Sequence, residues 1–232
     1  EKIYGFHCFS ACYNDSNLIL KEDEIDEALC FIPSSCHPSC KSDDAALLRL
    51  IYAPYIQETA ITFEKTVPSL KEFRERIVHT LQQYPYLVCE ENQEVVGYAY
   101  LSAFNPRSAY RHCAETSIYV KKNMRHHGVG KALYQALEKS AQSMGILNLN
   151  ACIAYPSNEK KADPFLSLDS PHFHEHLGYT VVGRFHQCGF KFGRYYDMIW
   201  MEKMIGRHDK SPHPLLPILN YLQNEQNDGW GK

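Results

Sequence analysis

The sequence predicts an α/β fold of the α+β kind, one mixed and mostly antiparallel central sheet with helices on its faces. Two observations carry this. Segments of strand composition and segments of helical apolar periodicity follow one another in the order helix, helix, three strands, helix, strand, helix, two strands, with glycine or proline at many of the boundaries. The 232 residues are 44% hydrophobic and 22% charged, a globular balance that excludes disorder, collagen and coiled-coil arrays.

The elements follow in chain order. Ser42-Asp43-Asp44 is a helix-start signal ahead of Ala46, Leu47, Leu50, Ile51 and Tyr55, whose spacing predicts a helix over 44–57. The β-prone run 58–64 follows, and Pro68-Ser69 caps a second amphipathic helix that carries Leu70, Phe73, Ile77, Val78 and Leu81 and ends near Tyr84-Pro85. Strands are expected over 86–91, 94–104 and 114–120, the first two joined by the polar Glu91-Asn92-Gln93. A long helix over 128–144 closes at Gly145, and a strand follows over 147–154. A short helix near 170–177 stops at Gly178, and strands over 179–190 and 196–204 complete a domain bounded at 43–205. Residues 1–42 form an N-terminal extension in which Leu29 to Ile32 is the candidate for a first strand, and 206–232 form a tail carrying Pro212, Pro214 and Pro217.

Charge names no macromolecular partner. The 24 basic and 27 acidic side chains leave a formal charge of -3, without the basic excess of a nucleic-acid binder. No apolar run approaches the roughly 20 residues of a membrane span. The start Glu1-Lys2-Ile3-Tyr4 lacks an initiator Met and the basic-then-apolar plan of a secretory signal, so a processed or truncated, cytoplasmic chain is expected. Nine cysteines, an odd count reaching from Cys8 to Cys188, fit reduced thiols better than a disulfide framework. A zinc site can be written from Cys30, Cys36, His37 and Cys40 with Cys8 and Cys12 upstream, but the spacing is wrong for a paired ribbon, and no metal is expected.

The chemistry sits in Ile118-Tyr119-Val120-Lys121-Lys122-Asn123-Met124-Arg125-His126-His127-Gly128-Val129-Gly130-Lys131-Ala132-Leu133, which joins a strand to the long helix. Glycines 128 and 130 let backbone approach a ligand, and the first-turn N–H groups of the helix lack internal partners. That is an anion site suited to a pyrophosphate, with Arg125 at its mouth and Lys131 nearby. It is neither the dinucleotide nor the Walker glycine pattern.

R-x-x-G-x-G between strand and helix resembles the acetyl-CoA signature of the GNAT superfamily of N-acetyltransferases. Five ordered blocks are similar to the phosphinothricin N-acetyltransferase branch: Ala60-Ile61-Thr62-Phe63-Glu64, Tyr84-Pro85-Tyr86-Leu87-Val88, Ala114-Glu115-Thr116-Ser117-Ile118-Tyr119-Val120, Phe173-His174-Glu175-His176-Leu177-Gly178-Tyr179 and Gly189-Phe190-Lys191-Phe192-Gly193-Arg194-Tyr195-Tyr196-Asp197. The resemblance covers about residues 43–205 and implies a GNAT fold whose splayed central strands admit the pantetheine arm. It implies acetyl-CoA as cosubstrate, a small amine or amino acid as acceptor, and a homodimer.

Amine acetylation needs a neutral nitrogen, a polarised thioester carbonyl and a proton for the departing thiolate. The resemblance implies Glu115 as the general base and His174 in a leaving-group or orienting role. It implies cofactor contacts from Tyr119, Val120, Arg125, His126, His127, Gly128, Val129, Gly130, Lys131 and Asn158. Acceptor contacts fall to Phe63, Arg107 and Tyr110, with Arg107 suited to a carboxylate. The hairpin from Lys191 to Tyr196 is expected to close one side of the pocket.

Two departures from the pattern stand out, a displaced asparagine and a long insertion near the expected active-site rim, which leaves another small amino acid or amine open as acceptor. An insertion from Glu159 to Ser167 follows Asn158, so that Ser167 or Asp169 occupies the place of the usual asparagine. The trio His172, His174 and His176 is not spaced to converge on a metal. Rival functions are acetylation of a polyamine, an aminoglycoside or a peptide N-terminus, and a non-catalytic acyl-CoA-binding regulator.

Overall fold

The structure, a computed structural model, describes residues 44–209 together with Pro214 and Leu215. The expected extension over 1–42, with its candidate strand and cysteine cluster, and most of the tail lie outside the described residues.

Helix α1 (Asp44–Glu58) precedes α2 (Leu70–Leu81), which opens where the Ser69 hydroxyl accepts the Glu72 N–H. The strands are β1 (Tyr86–Glu91), β2 (Glu94–Ala103) and β3 (Cys113–Val120), followed by α3 (Val129–Met144), β4 (Asn148–Tyr155), α4 (Asp169–His176), β5 (Thr180–Lys191) and β6 (Arg194–Met204). Every helix and strand anticipated from 86 onward is present, displaced by at most two residues at an end.

Two segments before β1 take their shape from local and tertiary contacts. The run 59–64, β-prone in composition and outside the expected order of elements, is a bent loop after α1, because its threonines take backbone partners locally: Thr59 Oγ1 donates to the Tyr55 carbonyl (2.6 Å), and Thr62 Oγ1 accepts the Glu64 N–H (3.3 Å). The inward face of α1 is also rotated. Leu47 and Leu50 are 44% and 63% exposed, whereas Leu48, Ile51, Tyr52, Tyr55 and Ile56 are buried. The helix is apolar on most sides, and the tyrosines of β2 and β3 decide which side is covered.

The six strands lie in the order β1-β2-β3-β4-β6-β5. All neighbours are antiparallel except β3 and β4, which are parallel and pair only at Cys113↔Asn148, Ala114↔Leu149 and Glu115↔Asn150. Beyond Glu115 the two strands part, while β4 stays paired with β6 along its whole length.

Side chains alternate across β3 and so define the layers. Ala114 and Val120 pack with Leu133, Leu137 and Ala141 of α3, and Tyr119 packs on the opposite face with α1 and α2. A smaller cluster of Ala60, Ala154, Leu166 and Tyr196, with Phe63 and Phe165 against it, covers the β4–β6 end of that opposite face. The gap between β3 and β4 therefore opens between three packed bodies.

Candidate active site

Where β3 leaves β4, a cleft of about 540 Å³ passes through the sheet. Ile118 and Val120 form its strand wall, Tyr55 and Ile61 reach it from α1 and the loop after it, and Phe173, with His172 and His176, faces it from α4. Its floor is the turn into α3. Gly128 holds φ +87°, a left-handed backbone that favours glycine, and sets the direction of the first helical turn. A Cβ on Gly130 would lie 3.0 Å from the Phe173 ring, so the bare backbone is what lets α3 and α4 close around the cleft.

The first intrahelical bond of α3 is Ala132 N–H to the Gly128 carbonyl (3.0 Å), which leaves the N–H groups before it pointing out of the helix end. Arg125, His126 and Lys131 stand around the same cleft. The guanidinium of Arg125 lies over the Tyr55 ring, 4.9 Å from its centre. Backbone donors, a helix N-terminus and cations together suit the phosphates of a nucleotide-bearing ligand.

The expected cofactor residues divide. Val120, Arg125, His126, Gly128, Gly130 and Lys131 line the cleft; Tyr119, His127, Val129 and Asn158 do not. The Tyr119 ring turns to the other face, against Tyr52 (4.7 Å) and Tyr98 (5.3 Å). Val129 is core, and His127 is exposed with Nδ1 2.8 Å from the Arg125 carbonyl. Asn158 accepts the Lys160 N–H (3.1 Å) in the loop beyond β4, and Ser167, Asp169 and Ser170 take the wall that asparagine was expected to supply.

Glu115 stands at the last rung before the gap, in register with Ser102 of β2 and Asn150 of β4. It is half-buried and its carboxyl forms no ion pair among the described residues. Burial pushes its pKa up from 4.5 to about 7. A carboxyl with that pKa can take a proton near neutrality.

His174 is not on the cleft wall. It is 3% exposed, with Nδ1 2.7 Å from the Ser170 carbonyl and Nε2 2.7 Å from the Tyr134 hydroxyl. Burial lowers its pKa to about 4, so the ring is neutral at pH 7. A carbonyl only accepts, which places the proton on Nδ1 and makes Nε2 the acceptor of the Tyr134 O–H. The Tyr134 hydroxyl also faces Thr116 Oγ1 as a second acceptor at 3.1 Å, because Thr116 donates its own proton to the Asn150 carbonyl; one phenolic proton is thus shared between the imidazole and β3, one residue from Glu115 and on the opposite face of the sheet.

The acceptor candidates are spread along the face that carries Glu115. The Phe63 ring rests on Gly189, where a Cβ would meet it at 2.5 Å, and beside Tyr196. Its loop is tied down by Lys191, whose Nζ donates to the Thr62 carbonyl (2.7 Å) and whose pKa burial lowers to about 8. Tyr110 packs on Phe104, which meets Trp200 edge-on at 5.4 Å. Arg107 is exposed in the turn after β2, its backbone N–H held by Asn105 Oδ1 and its guanidinium in no ion pair among the described residues. Among the described residues, no side-chain hydrogen bond, ion pair or ring contact joins Phe63, Arg107 and Tyr110 to one another.

The insertion after Asn158 adds to the rim. Asp163 pairs with Arg194 (2.9 Å), Phe165 stacks on Phe192 at 4.2 Å, and the Phe165 carbonyl accepts the Ala60 N–H. It thereby binds the tip of the β5–β6 hairpin to the loop carrying Ile61 and Phe63. Among the described residues no three His, Cys, Asp or Glu side chains are grouped to hold a metal.

The family profile described as an acetyltransferase (GNAT) domain matches residues 39–200. The chain belongs to the GNAT acetyltransferases. It is similar to the phosphinothricin N-acetyltransferase of Alcaligenes faecalis, 30% identical over 73% of this chain and 82% of that one. The L-methionine sulfoximine/L-methionine sulfone acetyltransferase of Salmonella typhimurium is 29% identical over 72% of this chain and 92% of that one. The crystal structure of a phosphinothricin acetyltransferase from Sinorhizobium meliloti in complex with AcCoA superimposes with a TM-score of 0.63, at 32% identity and over 75% of this chain and 94% of that one.

This GNAT enzyme is thus an acetyl-CoA-dependent N-acetyltransferase. Several cleft residues of this acetyltransferase escaped the sequence: Tyr55, Ile61, Ser170, His172, Phe173 and His176. One signal was there for the histidines. His172 and His176 are four apart on one helix and do share a face, turned to the cleft, while His174 between them turns inward. Tyr55 carried no such signal, since its partners lie 65 residues away in the chain.

Proposed function

We propose that this acetyltransferase moves the acetyl group of acetyl-CoA onto the α-amino group of a small amino-acid-like acceptor, of the phosphinothricin, methionine sulfoximine or methionine sulfone type. Glu115 is the observation that carries the reaction: a carboxyl in no ion pair among the described residues, with its pKa at about 7, on the last rung before β3 and β4 part. It takes the proton of the acceptor ammonium, directly or through water. The neutral nitrogen then forms a C–N bond with the acetyl carbon, the C–S bond breaks, and the departing coenzyme A thiolate takes up the second proton that the nitrogen sheds on becoming an amide. Arg125, Gly128 and Gly130 hold the cofactor phosphates; His174, through Tyr134, keeps β3 and α4 in register around them. Uptake of substrate carboxylate falls to Arg107, with Phe63 and Tyr110 as walls.

The acceptor class is supported by the substrates named for the relatives and by the Arg107 guanidinium, which is in no ion pair among the described residues. A regulator without turnover would have no use for a carboxyl held near neutrality. The test is thiol release from acetyl-CoA with phosphinothricin, methionine sulfoximine, methionine sulfone, common amino acids, spermidine and an aminoglycoside. Release with the first three is expected. Release with polycations alone sinks the carboxylate pocket, and acetyl-CoA binding with no release from any acceptor favours the regulator.

We read the enzyme as a cytoplasmic homodimer. The four described cysteines are free, in keeping with a reducing compartment, and no helix of the described residues is long and apolar enough to cross a membrane. Val181, Val182 and Phe185 of the edge strand β5 are each more than half exposed, an apolar surface suited to a second copy. Sedimentation of the purified chain decides the oligomeric state.

A further inference from the structure

Tyr55 belongs to α1, 65 residues before the strand it serves. Val120 is the last residue of β3 and stands in register with Gly97 of β2, yet the bond to β2 is made by the next residue, Lys121 N–H to the Val96 carbonyl. The Val120 N–H and C=O therefore point the other way, toward the gap that β4 has left. Both are met by one atom. The Tyr55 hydroxyl donates to the Val120 carbonyl (2.6 Å) and accepts the Val120 N–H (3.0 Å). The hydroxyl replaces the missing strand at the place where an unpaired pair of backbone groups would pull β3 toward another partner.

The ring of the same residue has a second task. One face carries the Arg125 guanidinium at 4.9 Å, and the Tyr119 ring meets it edge-on at 5.1 Å. Tyr55 is 8% exposed and lines the cleft, so it is a fixed platform and not a surface side chain. Arg125 forms no ion pair among the described residues, and the ring is the partner that orients it.

We infer that Tyr55 is a positioning residue for acetyl-CoA: its hydroxyl holds the open edge of β3 at Val120, and its ring aims Arg125 at the cofactor phosphates. The inference rests on the reading of this cleft as the acetyl-CoA site. It assigns a cofactor function to a side chain that touches the reacting atoms nowhere, and it makes the docking of α1 on the sheet a condition of cofactor affinity.

The test is a set of full-length variants, Tyr55→Phe, Tyr55→Leu, Arg125→Ala and the double variant Tyr55→Leu/Arg125→Ala, titrated with coenzyme A by calorimetry and assayed for KM and kcat. Tyr55→Phe keeps the ring and the fold, and is expected to weaken coenzyme A roughly five-fold and raise the acetyl-CoA KM in step, with kcat at saturation little changed. Tyr55→Leu adds a further loss of about two-fold or more, and that extra loss vanishes on the Arg125→Ala background. Wild-type affinity in Tyr55→Phe, with only a lowered melting temperature, overturns the inference and leaves a structural role. Losses from Tyr55→Leu and Arg125→Ala that simply multiply overturn the link to Arg125. Undiminished binding in Arg125→Ala overturns the cleft assignment itself, and the inference with it.

Discussion

Glu115 and Asn150 are the last register partners of β3 and β4, and the strand wall of the cleft starts three residues further on, at Ile118. The strand pair thus ends where the carboxyl stands. The sheet shelters Glu115 on the paired side, which raises its pKa, while the missing rungs beyond it leave an opening for a thioester.

A base must be ionised to accept a proton. The kcat/KM for the acceptor is therefore expected to climb as pH rises through about 7, with the acceptor's own amine ionisation superimposed on it. Glu115→Gln removes the Glu115 limb and lowers the rate at neutral pH by roughly a hundred-fold or more, with acetyl-CoA affinity nearly unchanged. Paired pH–rate profiles from 5.5 to 9, at about half-unit steps, decide this; equal weakening of rate and cofactor binding speaks against the base assignment.

The same residue carries a stability cost with a definite sign. The folded chain holds the Glu115 proton up to about 7, whereas the unfolded chain releases it near 4.5, so the native state binds more protons between those values. Stability contributed here is present at acid pH and declines as pH rises through that window. Glu115→Gln is expected to be more stable than the parent above pH 7, by up to about 3 kcal/mol, and to converge with it near pH 4. Urea denaturation at the two pH values measures the difference, and a less stable variant at pH 8 contradicts the buried carboxyl.

Gly130→Ala places a methyl 3.0 Å from the Phe173 ring. That ring is packed edge-on against Tyr134 and cannot swing freely, so α4 must move away from α3. The expected loss is about 1–3 kcal/mol in stability, with a matching rise in acetyl-CoA KM because α4 is a wall of the cleft. Thermal melts and a cofactor titration read both, and an unchanged KM detaches α4 from cofactor binding.

His174 is expected to behave as a buried neutral group. Its folded pKa of about 4 lies below the ordinary 6.5, so the unfolded chain gains a proton first and stability falls as pH drops through that window. His174→Phe removes one of the two acceptors of the Tyr134 hydroxyl and is expected to cost about 1–3 kcal/mol at pH 7, to lose that acid sensitivity, and to retain more acetylation than Glu115→Gln. A fall in rate as deep as that of Glu115→Gln, in a variant of unchanged stability, would show a direct catalytic part.

Much of the fold was legible because β2, β3 and α3 are long, regular and punctuated by glycine or charged turns. The loop over 59–64 has strand composition in Ile, Thr and Phe but no edge to pair with, and its threonines bond to nearby backbone instead. The stripe of α1 misled for a related reason, since Leu47 and Leu50 are as apolar as Leu48 and Ile51 and the sheet alone chooses between them. At the site, Arg125, Gly128 and Gly130 were legible from spacing, but Tyr119, adjacent to Val120, was not separable from it until the strand's alternation was anchored to a core.

The sequence by itself determined the order of elements, the glycine turn into α3 with its cation, and the family, since each is written in neighbouring residues and their spacing. Tertiary structure decided what depends on distance and dielectric. The parting of β3 from β4 after Glu115, the pKa of that carboxyl, the inward turn of His174 between two outward histidines, and the grip of Tyr55 on Val120 all arise from groups far apart in the chain. A side chain's type is local, but its burial and its partners are set by the segments that fold back upon it.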